Sequence, residues 1–367
     1  VKLGSRTGPA APVSAPPFEV VRHTLENGLG LLLLERPQLP ILSITTLLRA
    51  GVISESREEA GLSQLTASLL PRGTAKRDAV RLAEDVDALG ASLGVHSDHD
   101  FSSVGISCLS RVGTEAVRIL AEVVTSPAFD PEEVERRRND VLSAIRRKND
   151  DLVYLVRSRF QELVFGDHPY RLPLLGYEET VGRITPAEIR GFYERLYRPN
   201  NTLIAVAGDF RPAEMIELLE DAFGSWRPAP TPARELPPVP QPSGPHVERL
   251  QKDGVSQATL RVGLLGIPRN HPDYVVTTLM NYVLGGSGFG SRLMRSLREE
   301  RGLTYGVYSS FHTRREHGYF FAGCQTGLDT MNAALAGMIE EILRMRDHGV
   351  TAEELERARS YYTGSLP

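Results

Sequence analysis

Four stretches of this 367-residue sequence place polar side chains at spacings that could support chemistry. Gly90-Ala91-Ser92-Leu93-Gly94 fits G-x-S-x-G, the turn that lifts a serine nucleophile above a sheet. That turn needs a strand before the serine and a helix after it. Here a helical pattern, Arg77–Leu89, comes first and a strand-like run follows, so Ser92 is not read as a nucleophile. His96 and His99 form H-x-x-H, but residues three apart on a strand face opposite sides. They suit polar positions at a strand end better than a metal pair. His312 and His317 flank a turn at Thr313–Glu316 and are expected in solvent. The fourth stretch, Gly286-Ser287-Gly288-Phe289-Gly290, is not a dinucleotide loop, because Ser291 stands where a third glycine belongs. It lacks a phosphate-loop lysine, and a helical pattern rather than a strand precedes it. Its glycines read as a tight turn between two helices, with room for a substrate backbone.

The elements that would position these residues are legible from periodicity. Leu29–Glu35 and Ile41–Ala50 are apolar, β-branched runs either side of a turn. Helical patterns follow at Glu58–Leu70 and Arg77–Leu89, strand-like runs at Ser92–Val95 and Phe101–Leu109, then helices at Val112–Val124 and Pro131–Lys148. The last carries Glu132, Glu133 and Glu135 at its start and Arg146–Lys148 at its end, as the helix dipole favours. Helices at Leu152–Phe165, Pro186–Leu196 and Pro212–Phe223 surround a final strand, Asn201–Ala207.

The pattern then repeats. Pro131–Arg138 (PEEVERRR) returns as Ala352–Arg359 (AEELERAR), and Cys108 has a counterpart in Cys324. Between the copies, Arg227–Pro245 holds eight of the chain's 25 prolines, too stiff and donor-poor to join a sheet and therefore a linker. The expected organisation is a disordered leader over 1–17, a first domain over 18–226, a linker over 227–245 and a second domain over 246–367. If the duplication is complete, roughly 80 residues of the second domain are expected beyond the last one. Strands, then helices, then one more strand argue α+β.

Composition removes several function classes. A net charge of −4 and a pI near 6.2 offer no basic excess for nucleic acid. No apolar run approaches the ~20 residues of a membrane span, and two cysteines cannot staple a chain of this length. The Pro/Ala-rich leader suggests export to the periplasm or elsewhere, although no signal peptide is visible and the location stays unknown.

Glu58–Thr74 reads EEAGLSQLTASLLPRGT. Its Gly61, Leu62, Leu69, Gly73 and Thr74 resemble the opening helix of the pitrilysin/insulinase zinc metallopeptidases, whose pattern runs G-x-x-H-x-x-E-H and ends in Gly-Thr. The resemblance extends through the element order, the strand in Asn200–Asp209 (NNTLIAVAGD), the duplication and the glycine loop, covering residues 18–367. It implies two homologous α+β domains, each a mostly antiparallel sheet flanked by helices, together half of a peptidase clamshell. In that family two histidines one turn apart bind zinc and the glutamate between them activates water. Those positions hold Gln64, Ala67 and Ser68 here, and the third ligand falls at about Ser143 or Ala144. Asp140, one turn away, would stand alone. Amide, hydroxyl and methyl groups neither hold zinc nor move its proton, so no catalytic metal is expected on this chain.

A second device of the family is present. Arg298 is followed seven residues later by Tyr305, resembling the pair that reaches across the clamshell towards the metal site. A guanidinium and a phenol can donate to a peptide carbonyl as it becomes an oxyanion; alternatively Arg298 could pair with Glu299 or Glu300. The resemblance further implies substrate contacts at Gly286, Ser287 and Gly288, and main-chain pairing of peptide along the edge strand at Gly94 and Val95. The chain most resembles the zinc-motif-lacking partner of two-chain bacterial members and the mitochondrial processing peptidase subunits. It is expected to be inactive alone and to join a zinc-bearing homologous subunit that degrades or processes peptides. A homodimer in that partner's absence, an inert scaffold of the same fold, and an independent enzyme are the alternatives.

Overall fold

The computed structural model describes residues 19–231, 235–240 and 244–365; the expected leader lies outside these. The first domain begins with strands β1 (Val21–Thr24), β2 (Gly30–Glu35) and β3 (Ile41–Leu48), then helices α1 (Leu62–Leu69) and α2 (Ala79–Ala88). Strands β4 (Ser92–Ser97) and β5 (Ser102–Leu109) precede helices α3 (Gly113–Thr125), α4 (Pro131–Asn149), α5 (Leu152–Phe165), the single turn α6 (Glu178–Val181) and α7 (Pro186–Leu196). Strand β6 (Thr202–Gly208) and helix α8 (Pro212–Phe223) complete it.

The strands form one sheet in the order β1-β2-β6-β3-β5-β4, antiparallel except where β2 meets β6. Alternation decides which face is buried. Leu42, Ile44 and Leu48 of β3 stand in register with Cys108, Ile106 and Ser102 of β5, all buried, while their neighbours turn outward. The apolar stripes of α1, α3, α4, α7 and α8 cover that buried face in one core.

The second domain repeats the plan with β7 (Gln257–Gly266), α9 (Tyr274–Asn281), β8 (Thr304–His312), β9 (Gly318–Gly327), α10 (Met331–His348) and α11 (Ala352–Ser365). Its sheet order, β7-β9-β8, matches β3-β5-β4 of the first, and α11 carries the repeated AEELERAR segment that α4 carries as PEEVERRR. The α+β duplication is therefore structural as well as sequential.

Strand β9 is buried on both faces. Phe320, Ala322 and Cys324 enter the second domain's own core, whereas Tyr319 and Phe321 meet Phe160, Phe165 and Tyr170 of the first domain. Val239 of the linker is buried in that same aromatic cluster. The β8–β9 turn plugs the junction. Arg314 Nη1 donates to the Tyr170 carbonyl at 3.1 Å, and Asp100 accepts from both the Tyr170 hydroxyl and the Arg315 amide. His312 is exposed as expected, although its ring stacks on Tyr319, whereas His317 is half-buried against the His168 ring edge and corrects the expectation. Among the described residues no helix is long and apolar enough to cross a membrane.

Arg292, just past the glycine loop, grips Glu354 of α11 through two bonds, Nε to Oε1 at 2.8 Å and Nη2 to Oε2 at 2.6 Å. The bidentate pair is mostly buried and holds the Glu354 carboxyl down at about 2. Its stabilising effect is complete above the ordinary carboxylate range and is lost as pH falls towards that value. Arg292→Ala is expected to cost about 2 kcal/mol in urea unfolding at neutral pH, between the values for exposed and fully buried pairs.

Candidate functional site

Helix α1 is shaped by its first residues. Gly61 has φ +97°, and a Cβ there would sit 2.7 Å from the Leu175 carbonyl oxygen. Only glycine fits, so the helix starts at Leu62 rather than at Glu58 as periodicity predicts. Its first turn is capped by the buried carboxylate of Glu55, which accepts from the Gly61 amide at 3.1 Å and the Ser63 amide at 2.5 Å. Burial dominates those bonds and carries the Glu55 carboxyl up to about 7.

Gln64 and Ser68 lie one turn apart on the half-buried face of α1, and Ala67 turns into the core. With Val95 and His96 of β4, Arg72 and Arg137, they line a cleft of about 330 Å³. Ser68 Oγ spends its proton on the Leu65 carbonyl at 2.8 Å. Ser143 is exposed and Ala144 half-buried; neither lines the cleft. Two turns before Ala144 on α4, Arg137 projects into it instead, with its Nε buried and without a partner. Asp140 is 3.6 Å from the Arg137 guanidinium and serves as a weak counter-ion.

These residues do not fit a zinc ion: the wall opposite the two neutral side chains carries a cation where a ligand would be needed. Among the described residues no group of three or more His, Cys, Asp or Glu could hold a metal. The H-x-x-H pair is likewise split. His96 faces the cleft, whereas His99 is buried past the strand end, bonded to the Leu172 carbonyl at 3.1 Å, and its burial lowers its basicity.

The second set of residues does come together. Helix α9 runs into a π-helical turn, Tyr282–Gly286, which opens the glycine loop. Asn281 clamps this turn to β8 by exchanging bonds with the Ser309 hydroxyl and carbonyl, and a Cβ on Gly285 would lie 2.5 Å from the Ser309 amide nitrogen. Ser287 and Gly288 follow, with Gly288 at φ +61°, and Ser291 Oγ closes the loop on the Gly288 carbonyl. A second π-helical stretch, Met294–Glu300, presents Arg298.

Tyr305 sits on β8, an edge strand, inside a bulge where the register jumps between Thr304 and Val307. Thr304 Oγ1 fixes the bulge by donating to the Gln325 carbonyl and accepting from the Gly306 amide. The bulge re-aims Tyr305 outward, leaving it 87% exposed. The Arg298 guanidinium lies 4.7 Å from the Tyr305 ring centre and 4.5 Å from that of Phe289. It pairs with neither Glu299 nor Glu300.

Tyr305 also borders a cleft of about 380 Å³ between α5 and the second sheet, where Arg261 Nη1 and Thr259 Oγ1 are buried without partners. The two clefts share no residue. Gly94 and Val95 belong with the first: both lie on edge strand β4, and a Cβ on Gly94 would meet nothing within 4 Å. Sequence reasoning missed Phe289, Arg137 and Glu55. Phe289 had a signal, as the one aromatic in a loop of small residues. Arg137 had a fainter one, being seven residues before Ala144 and so on the same helical face. Glu55 had none.

A duplicated α+β chain with these two clefts belongs to a defined class. Residues 32–178 match the insulinase (peptidase family M16) model and residues 183–362 the peptidase M16 inactive-domain model, so the chain belongs to the M16 peptidase family. It is a homologue of the inactive type. It is 29% identical to the peptidase M16 inactive domain of Pseudomonas fluorescens, whose crystal structure superposes with a TM-score of 0.87 over 95% of this chain and 84% of that one. An uncharacterized zinc protease of Bacillus subtilis, YmxG, is 26% identical across 95% of this chain and 83% of its own length. A Helicobacter pylori protein named a non-peptidase homolog is also 26% identical, covering 91% of this chain and 76% of that protein.

The raised Glu55 carboxyl makes a prediction about pH. Between its ordinary value of 4.5 and about 7, the folded chain binds more protons than the unfolded one, so stability falls as pH rises through that window. The full span is on the order of 3 kcal/mol. Glu55→Gln is expected to flatten this slope, measured by urea unfolding at about pH 5 and about pH 7.5; an unchanged slope would show that Glu55 is not its source.

Proposed function

We propose that this chain is the non-catalytic subunit of a two-chain zinc peptidase. It lends Arg298 and Tyr305, together with the substrate contacts of Gly286, Ser287 and Gly288, to a homologous subunit that carries the zinc. One observation carries the reading: Arg298 is held between Phe289 and Tyr305 with no ion pair among the described residues, beside a cleft separate from the Gln64–Ser68 site. Guanidinium N–H groups and an exposed phenol, ordered in advance, are suited to a carbonyl oxygen that gains charge during peptide hydrolysis. Nothing beside Gln64 and Ser68 could use them. The zinc is expected on the partner alone, and the edge strand at Gly94 and Val95 offers main-chain pairing for an extended peptide substrate.

A scaffold without any part in hydrolysis is the second reading, favoured by the similarity to the Helicobacter pylori protein named a non-peptidase homolog. A quenched fluorogenic peptide separates the two, assayed with this chain alone and co-expressed with a zinc-motif homologue. The expected result is no cleavage by the chain alone and chelator-sensitive cleavage by the pair. Arg298→Ala or Tyr305→Phe should lower turnover of the pair about a hundredfold, the scale of removing one oxyanion donor, while both subunits still co-elute. Activity of the pair no higher than the homologue alone would make the chain a scaffold.

A further inference from the structure

The cleft beside α1 is not inert because it has lost metal ligands. It is a basic site. Arg137 and Arg72 both line it, and among the described residues no carboxylate does. Arg72 forms no ion pair with a described residue, and the one ion pair of Arg137 among the described residues is with Asp140, whose side chain is 60% exposed. Arg137 Nε is buried in the wall without an acceptor, and the rest of the guanidinium, on a side chain 29% exposed, makes only the 3.6 Å contact with Asp140. A partly desolvated cation so weakly countered is stabilised by an incoming anion.

The floor and approach suit an anion carried on a peptide. Gln64 makes no hydrogen bond within the described chain, leaving its amide free to donate. Strand β4 is an unpaired edge whose Val95 and His96 line the cleft, so a chain added along β4 is led into it. Gly94, with open space above it, lets an incoming backbone approach closely.

We propose that this cleft binds the carboxylate of a peptide paired along β4, with Arg137 as its principal counter-ion and Arg72 as the second. A C-terminal carboxylate and an acidic side chain share the required chemistry. Only the ligand class rests on the peptide-binding reading above, and the site acts in this chain alone, without partner or metal.

The test uses the full chain and a fluorescent, extended peptide of about ten residues in three forms: free C-terminal acid, C-terminal amide, and the amide with one glutamate near its end. Binding is followed by anisotropy at low salt. The acid or the glutamate form is expected to bind about tenfold tighter than the neutral amide, the scale of one charge-assisted pair. The preference should shrink with added salt, vanish in Arg137→Gln, and persist in part in Arg137→Lys. Arg72→Gln, at an exposed position, should reduce it without disturbing the fold. A gain confined to the free acid identifies a C-terminal carboxylate, and a gain with the glutamate form an acidic side chain. Equal binding of all three forms, or a preference that survives Arg137→Gln in a chain with native circular dichroism, overturns the proposal. A chain that shows the preference yet never raises the homologue's activity would keep this site and remove the accessory role.

Discussion

The guanidinium of Arg314 sets one domain on the other. It lies within 6 Å of the ring centres of Phe165, Tyr170 and Tyr319, where a cation is attracted to aromatic faces and shielded from water. The backbone around it is tied as well: Arg315 and Glu316 donate their amides to Asp100 and the Tyr170 hydroxyl. Because the β8–β9 turn is pinned there, the outer face of the second sheet falls against α5 rather than against solvent. Tyr319 and Phe321 then complete an aromatic core with Phe160 and Val239. The two clefts inherit their places from this junction, one beside edge strand β4 and the other beside edge strand β8, with no wall in common.

Packing and the cleft use different faces of α1. Leu62, Leu65 and Leu69 enter the core, and Gly61 permits the close approach of the Leu175 carbonyl. Gln64 and Ser68 face the cleft and contribute little to that core. The Gln64 amide and the Ser68 hydroxyl make an open, polar wall there. Arg137 of α4 stands against that wall, so the electrostatic sign of the cleft is set by a residue on another helix.

Most of the architecture was legible because strand and helix periods are local. The Leu42–Ile44–Leu48 alternation, the capped helix at Pro131 and its repeat at Ala352 all appear where the sequence places them. Three features escaped for physical reasons. Strand β1, VRHT, is a four-residue edge with only one face packed, so it carries too little alternation to read. The π-helical turns at Tyr282–Gly286 and Met294–Glu300 keep a helical composition, and their wider winding answers to packing on β8. His317 has the sequence context of a solvent turn, yet is half-buried against His168 because the junction closes over it. Among candidate site residues, the resemblance singled out Arg298 and Tyr305, which the fold brings into contact, whereas Arg137 and Glu55 depend on which helix lies across from them.

The arrangement of Arg298 explains why stacking, rather than an ion pair, is the useful way to hold it. Ordering an arginine side chain costs about 2 kcal/mol of rotamer freedom. A contact with Glu299 or Glu300 would offset part of that cost but occupy the N–H groups in doing so. Two exposed aromatic rings contribute roughly 0.5–1 kcal/mol each through their faces and leave the in-plane donors unused. Phe289 depends for its place on the glycine loop, and Tyr305 on the bulge that Thr304 fixes. The loop, the bulge and the π-helical stretch therefore converge on one physical result: a guanidinium whose position is determined and whose N–H groups have no partner among the described residues.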